Sequence, residues 1–190
     1  YYGVDDKEAG KEVMRHLAEQ MGEQGKVAIL TGNPAAVNLQ ARVDGVKEQA
    51  GEYEGIGEPT VYSFMPETAT EAAAKMQQVQ SANPDITGWA LVGGWPLYTD
   101  NALDGIYENA KVVSIDPPPL PLEYVKKGQV QVLVGQPYYG WGEKSVEMII
   151  DKLEYNRTPE SELIFADFDI VTEENVEEYG ENWKTWLGED

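Results

Sequence analysis

Residues 26–50 limit the possible folds of this chain most strongly, because they predict a strand, a loop and a helix in immediate succession. Residues 27–30 are apolar and lie between glycines, a pattern typical of a buried parallel strand. Apolar side chains then recur at spacings of three or four over residues 39–50, which predicts a helix. In open α/β sheets, ligands bind where strands end and such loops begin. The stretch therefore predicts a parallel sheet with a binding edge.

Two polar side chains follow this loop. Asn38 and Arg42 are four residues apart and share one face of the predicted helix. An amide and a guanidinium at that position supply several hydrogen-bond donors and one acceptor to a polar ligand. The alternative is that Asn38 only caps the helix and Arg42 makes a surface ion pair.

Strands and helices alternate along the whole chain, which predicts an α/β fold with a parallel sheet and helices on both of its faces. Asp5 or Asp6, Thr68 or Thr70, and Thr172 are predicted to cap three of the helices. Besides the first unit, strands are predicted at residues 60–65, 86–92, 111–115 and 129–134, helices at 6–22, 71–82, 98–109, 120–127, 142–155 and 172–186, and extended chain at 163–171.

The charge of the chain excludes some classes of partner. The 34 acidic and 14 basic residues of this 190-residue chain give a net charge of −20. Nucleic acid is not an expected partner, because binding it requires Lys and Arg to neutralise phosphates. The chain has no Cys, which removes disulfides, thiolate catalysis and Cys-ligated zinc.

Motifs that carry catalysis are not found in the sequence. There is no G-x-S-x-G segment, no G-x-G-x-x-G after a strand, and a single histidine, His16, in the middle of a predicted helix. A lone histidine on a helix is usually a surface or boundary residue. We therefore expect no enzyme activity, no cofactor and no metal site.

Polar and aromatic side chains do gather at the predicted strand ends. These are Asn38, Arg42, Trp95, Asp116 and Gln136. An aspartate accepts hydrogen bonds from hydroxyls, arginine and asparagine donate them, and tryptophan offers a flat apolar face. The set predicts a site for a neutral, hydroxylated molecule. In the alternative interpretation, Asp116 only caps the helix after the proline run and Trp95 lies in the core.

The order of several motifs resembles one family. Residues 2–10, YGVDDKEAG, are similar to G-T-D-N-x-x-A-G at a hinge strand, and residues 26–45 are similar to K-V-A-x-L-x-G…N-x-x-x-R-x-x-G. The segments ANPDI at 82–86, VSID at 113–116 and QPYYGWG at 136–142 follow in the same order. Together they resemble the type I periplasmic sugar-binding proteins, the ribose-binding-like solute receptors of ABC transporters.

The resemblance implies two α/β lobes joined by three crossovers, with sugar bound in the cleft between them. By this resemblance, residues 1–135 are the C-terminal sugar-binding lobe, and the chain starts at the first crossover. Residues 136–165 are a displaced segment of an incomplete N-terminal lobe, and residues 166–190 are the return crossover and C-terminal helix. The apolar face of the helix at 142–155 then needs a cover, and a dimer through this face is one expectation.

The resemblance also implies roles for individual residues. Arg42 matches an arginine that donates to sugar hydroxyls, and Asp116 matches the carboxylate that accepts from them. Gln136 matches the crossover residue that reaches the ligand, and Asn38 matches a position near the ligand.

The sequence departs from the family after the strand at residues 86–92. The usual asparagine–aspartate pair is replaced by Gly93 and Gly94, followed by Trp95. An amide is lost and an aromatic stacking surface is gained, which leaves the identity of the sugar open.

The implied function is a non-enzymatic solute receptor that delivers a sugar to the membrane subunits of an ABC permease, with hinge closure around the ligand. The implied location is periplasmic or extracellular, with a lipid anchor possible in the parent protein. The alternative is a ligand-sensing domain of a lactose-repressor-like regulator or of a membrane receptor, although the chain shows no basic DNA-binding segment. An enzyme of flavodoxin-like fold is disfavoured, because the chain lacks a catalytic set.

Overall fold

Strands and helices alternate along the computed structural model, which describes residues 1–189. One short 3-10 helix, Trp95–Tyr98, lies between β5 and β6. In chain order the elements are β1 (Tyr2–Gly3), α1 (Asp6–Met21), β2 (Gln24–Thr31), α2 (Val37–Ala50), β3 (Gly55–Ile56), β4 (Thr60–Ser63), α3 (Ala69–Ala82), β5 (Ile86–Leu91), β6 (Lys111–Ile115), α4 (Pro119–Lys126), β7 (Val132–Gly135), α5 (Tyr138–Tyr155), β8 (Ile164–Phe165), β9 (Asp169–Val171) and α6 (Val176–Leu187).

The main sheet has seven strands in the order β3, β2, β5, β6, β7, β9, with β4 also paired to β2. Every pair from β3 and β4 through β7 is parallel, and β9 joins β7 antiparallel. A separate parallel pair, β1 with β8, lies apart from this sheet. The predicted α/β fold class is confirmed, with one antiparallel strand added at the edge.

The sheet separates two apolar clusters, one on each face. Successive side chains of β2 alternate between them, as the pleat of a strand requires. Ala28 and Leu30 join the cluster that includes residues of α3, α4 and α6. Val27 and Ile29 join the cluster that includes residues of α1 and α2. The predicted helices on both faces are therefore confirmed by the packing.

Two glycines bring α1 and α2 into direct backbone contact. A Cβ atom at Gly10 would lie 2.0 Å from the carbonyl oxygen of Arg42, and one at Gly45 would lie 2.0 Å from that of Lys7. Real Cβ atoms do not approach a backbone oxygen so closely, so each position admits only glycine without a shift of the helices. The contact fixes the position of α2, and with it Arg42, relative to the start of α1.

Replacing Gly45 with alanine should destabilise the protein, because the backbone of α1 at Lys7 would have to move. We expect the free energy of unfolding of Gly45→Ala to fall by roughly 1–3 kcal/mol, the usual cost of overpacking. Urea unfolding monitored by circular dichroism measures it. The control is Gly142→Ala in α5, where a Cβ would meet nothing within 4 Å. Equal stability of the two variants would contradict the tight helix contact.

The predicted helix at residues 98–109 is wrong. The 3-10 helix Trp95–Tyr98 is followed by a series of turns. Asn101 and Gly105 have φ angles of 59° and 74°. These left-handed conformations interrupt a right-handed helix, and asparagine and glycine adopt them most readily.

Two of the predicted helix caps are confirmed and one is wrong. The Asp5 carboxylate accepts from two backbone N–H groups at the start of α1, and the Thr68 hydroxyl caps α3. The Thr172 hydroxyl instead accepts from the backbone N–H of Glu174 at 3.3 Å, in a turn before the helix. The N-cap position of α6 is Asn175, so this helix begins later than predicted.

Helix α5 is left out of both apolar clusters. It begins at Tyr138, earlier than the predicted start at residue 142, and none of its residues is buried. Its apolar face stays in contact with solvent, from Ile150 at 44% exposure to Leu153 at 79%. Association of two copies through this face stays a prediction. The face comprises Val146, Ile149, Ile150 and Leu153.

Within residues 1–189, none of the helices is both long enough and apolar enough to cross a lipid bilayer. The same residues contain no group of three or more His, Cys, Asp or Glu side chains arranged to hold a metal ion.

Candidate functional site

The candidate site lies at the edge of the sheet where parallel strands end. The carboxyl ends of β2, β5, β6 and β7 meet there, because these strands run in the same direction. Trp95 follows β5, Asp116 follows β6 and Gln136 follows β7. Arg42 reaches the same edge from α2. The structure joins Arg42, Gln136 and Asp116 in one chain of hydrogen bonds.

Arg42 is a buried charge with three protein partners. Its side chain is 8% exposed, and its Nε donates to the Asp6 carboxylate at 2.7 Å. Nη1 donates to the carbonyl of Val92 at 3.1 Å, and Nη2 donates to Oε1 of Gln136 at 3.2 Å. A buried charge is tolerated only when paired and hydrogen-bonded in this way. The alternative interpretation of Arg42 as a surface ion pair is therefore wrong.

The Asp116 carboxylate receives three donors from three parts of the chain. Oδ1 accepts from Nε2 of Gln136 at 2.7 Å and from the Tyr138 hydroxyl. Oδ2 accepts from the backbone N–H of Gly94 at 3.2 Å. Asp116 does not cap α4, whose N-cap position is Pro118. The capping interpretation of Asp116 is therefore wrong.

The backbone of Asp116 is strained. Its φ angle is 77°, in the left-handed region that residues other than glycine rarely adopt. Such strain persists only where the surroundings hold the residue in place, and it is common at binding and active sites. The hydrogen bonds to Gln136, Tyr138 and Gly94 supply that restraint.

Two tyrosines border the Asp116 carboxylate, and sequence reasoning missed both. Partial desolvation of the hydroxyl and the negative charge of Asp116 raise the pKa of Tyr138, and the same two causes raise the pKa of Tyr98. Both hydroxyls therefore keep their protons to a higher pH than a free phenol, whose pKa is about 10. Only their positions in the sequence could have indicated that they belong to the site, because Tyr98 follows β5 and Tyr138 lies two residues after Gln136.

Asp6 is the third missed residue. From the sequence it is predicted only as a helix cap, and that role belongs to Asp5. Its bond to Arg42 depends on the contact between α1 and α2, which neighbouring residues in the sequence do not reveal.

Trp95 occupies space that glycines leave open. A Cβ at Gly93 would lie 2.4 Å from its ring, and a Cβ at Gly32 would lie 3.2 Å from it. Phe64 packs edge-to-face against the ring at a centroid distance of 5.5 Å. Trp95 is only partly buried, so it contacts the core and also retains an accessible surface.

Gly94 contributes to the site through its main chain. Its backbone N–H donates to Asp116, and a Cβ there would lie 3.2 Å from the Asp116 Cβ. The glycine therefore permits a close approach that binds the carboxylate through the main chain.

Asn38 stands apart from the hydrogen-bond chain. It is exposed, and it lies one turn before Arg42 on α2. The N-cap position of α2 is Ala36, which makes no side-chain cap hydrogen bond. The interpretation of Asn38 as the helix cap is therefore wrong, and its place near a ligand stays a prediction.

An aromatic cluster joins the start of α5 to α6 beside the site. The Tyr138 ring lies 5.4 Å from the Trp141 ring and 5.9 Å from the Trp183 ring, between centroids. Trp183 Nε1 donates to the carbonyl of Pro117, the residue after Asp116, at 2.8 Å. Tyr139 stacks on Trp186 with an interplanar angle of 14°. The C-terminal helix thus supports both Asp116 and the residues after Gln136.

The family described as "Periplasmic binding protein domain" matches residues 1–157. The chain belongs to this family. The resemblance found in the sequence is confirmed, and the hydrogen-bonded edge is the candidate ligand site of a periplasmic binding protein domain.

Solved structures agree with this family. An ABC transporter periplasmic solute binding protein from Actinobacillus succinogenes with bound D-allose is 26% identical, with a TM-score of 0.83 over 93% of this chain and 63% of that one. An ABC transporter solute binding protein from Burkholderia graminis in complex with D-arabinose is 22% identical, with a TM-score of 0.82 over 92% and 62%.

A third similar structure is the fructose binding periplasmic domain of a hybrid two component system. It is 19% identical, with a TM-score of 0.80 over 98% of this chain and 62% of that one. The chain therefore spans a little over three fifths of the length of these three structures.

The pairing of Arg42 with Asp6 in this periplasmic binding protein domain should make the effects of substitutions at the two residues on the free energy of unfolding non-additive. Arg42→Met leaves the Asp6 carboxylate unpaired, and we expect the free energy of unfolding to fall by about 3–5 kcal/mol. Asp6→Asn in the same chain should restore part of that loss, because it removes the unpaired charge. Urea unfolding of both single variants and the double variant measures the coupling, and strictly additive losses would contradict the pairing.

The Tyr138 hydroxyl should make stability depend on alkaline pH. The folded protein holds this proton at pH values where the unfolded phenol, with a pKa of about 10, has lost it. The contribution of this hydroxyl to the free energy of unfolding should be constant below that pH and should be lost above it. The free energy of unfolding should therefore fall more steeply with alkaline pH in the wild type than in Tyr138→Phe. Urea unfolding across this pH range measures the slopes. Tyr139→Phe is the control, and its slope should match the wild type.

Proposed function

We propose that this periplasmic binding protein domain binds a sugar at the edge formed by Arg42, Gln136 and Asp116. The observation that carries the proposal is the continuous chain of hydrogen bonds from the buried guanidinium to the strained carboxylate. Burying such polar groups at the ends of parallel strands costs desolvation free energy, and a role in binding hydroxyl groups explains why they are there.

The remaining hydrogen-bonding capacity of the site suits hydroxyl groups. Asp116 Oδ2 has one protein donor and can accept another, because each carboxylate oxygen has two lone-pair sites. Each Nη atom of Arg42 carries a second N–H beyond the one already used. In our proposal Gln136 bridges these two groups, Trp95 offers its ring to an apolar face of the sugar, and Asn38 binds at the rim.

The wider role that we propose is that of a solute receptor and not of an enzyme. The sugar is held in a cleft between two lobes, the lobes close about the crossovers, and the loaded receptor delivers its sugar to the membrane subunits of an ABC permease. The proposed location is periplasmic or extracellular.

The proposed division of the chain follows the same role. Residues 1–135 form the sugar-binding lobe, residues 136–165 belong to the second lobe, and residues 166–190 return as crossover and C-terminal helix. The absence of any buried residue in α5 supports this division, because a helix of the second lobe would not share the core of the first.

The second candidate is a sugar-sensing domain of a membrane receptor. The likeness of fold to the fructose binding domain of a two component system favours it over a repressor. Both candidates use the same sugar site, so a binding experiment tests the site for either role.

Titration calorimetry with D-allose, D-arabinose and D-fructose tests the proposal. We expect at least one of these sugars to bind, and we expect Asp116→Asn to weaken that binding by about 10- to 100-fold, the usual value of a hydrogen bond to a charged group. Asp44→Asn is the control, because Asp44 is an exposed carboxylate on the same helix as Arg42. Equal affinity of Asp116→Asn and the wild type would refute the proposed site.

A further inference from the structure

The Tyr138 hydroxyl already donates a hydrogen bond to the Asp116 carboxylate, which the proposed ligand needs as an acceptor. We propose that its hydroxyl stands in for a sugar hydroxyl on Asp116, and that a sugar with two adjacent hydroxyl groups must displace it. Tyr138 is then a specificity-determining residue of the site. This inference rests on the proposed function.

The count of hydrogen bonds on Asp116 gives the reason. Oδ1 already accepts from Gln136 and Tyr138, which fills its two lone-pair sites. Oδ2 accepts only from the backbone of Gly94 and has one site left. A single hydroxyl can therefore bind Oδ2 without any rearrangement. Two adjacent hydroxyls that donate to both oxygens require one donor to leave Oδ1.

Tyr138 is the donor that can leave. Gln136 is 7% exposed, and its Oε1 is held by Nη2 of Arg42, so releasing it would disturb the buried guanidinium as well. The Tyr138 hydroxyl donates its one proton to Asp116, and its ring is held by aromatic contacts with Trp141 and Trp183. Those contacts are less directional than the hydrogen bonds of Gln136, so moving the Tyr138 hydroxyl away from Asp116 disturbs fewer fixed partners.

The position of Tyr138 connects this exchange to α5. Tyr138 is the first residue of that helix, and no residue of α5 is buried. Releasing its hydroxyl from Asp116 removes the hydrogen bond that ties the start of α5 to the end of β6. Sugar binding thereby frees the first residue of α5 from Asp116, and sugars unable to displace Tyr138 leave this hydrogen bond in place.

Tyr138→Phe removes the competing donor and keeps the ring. We expect this variant to bind whichever of D-allose, D-arabinose and D-fructose binds the wild type about tenfold more tightly by calorimetry. Tyr139→Phe is the matched control, because Tyr139 is 54% exposed and stacks on Trp186 away from Asp116. Its affinity should equal that of the wild type. Thermal unfolding of both variants checks that they are folded.

A spectroscopic measurement follows the displacement itself. Tyrosine labelled with carbon-13 at the ζ position gives a resonance for Tyr138 that is identified by its loss in Tyr138→Phe. This resonance should shift when the wild type is saturated with the sugar. The Tyr139 resonance should stay in place.

The outcomes separate the two proposals. If the wild type and Tyr138→Phe bind the sugar equally and the Tyr138 resonance stays in place, the displacement is refuted and the sugar site stands. Weaker binding by Tyr138→Phe would also refute the displacement, because the hydroxyl would then contact the sugar directly. If neither protein binds any of the three sugars, both proposals fail. Binding by Tyr138→Phe alone would support the displacement most directly.

Discussion

The guanidinium of Arg42 is the group on which the arrangement of the site depends. It lies between the start of α1, the end of β5 and the residue after β7, and it donates a hydrogen bond to each of them. A charge with so little contact with water must keep all of these partners, because losing one leaves part of the buried charge uncompensated. The close contacts of Gly10 with Arg42 and of Gly45 with Lys7 hold α1 against α2, and this packing brings Asp6 within reach of Arg42. The packing of α1 against α2 therefore also fixes the geometry of the site.

Much of the fold could be predicted because its signals are local. Apolar runs of strand length and apolar residues at helical spacing determine which segments enter the core, and both core faces follow from the pleat of β2. The helix predicted at residues 98–109 failed for a local reason too. Ala102, Leu103 and Ile106 are at helical spacing, but Asn101 and Gly105 adopt left-handed conformations that spacing does not reveal.

The site could be predicted only in part, and the division has a physical cause. Arg42, Asp116 and Gln136 could be found because the ends of parallel strands share one edge of a sheet. Asp6 and Tyr138 could not, since each depends on how a helix is placed in three dimensions. The sequence leaves open whether Trp95 is a core residue or a stacking surface for the ligand. Its contacts with Phe64 and with the glycines place one side of the ring against the protein, and the side chain is only partly buried.

The glycine contact between α1 and α2 also bears on how such a site changes during evolution. Helices joined backbone to backbone cannot slide, so Arg42 and Asp6 tolerate almost no variation in their surroundings. The opposite side of the site consists of a glycine pair, a strained turn at Asp116 and the tyrosine that opens α5. A substitution at Tyr138 alters the hydrogen bonds of Asp116 without moving a packed helix, whereas a side chain at Gly93 would meet the Trp95 ring. One half of the site is thus a fixed frame, and new ligand preferences arise most readily through Tyr138 in the other half.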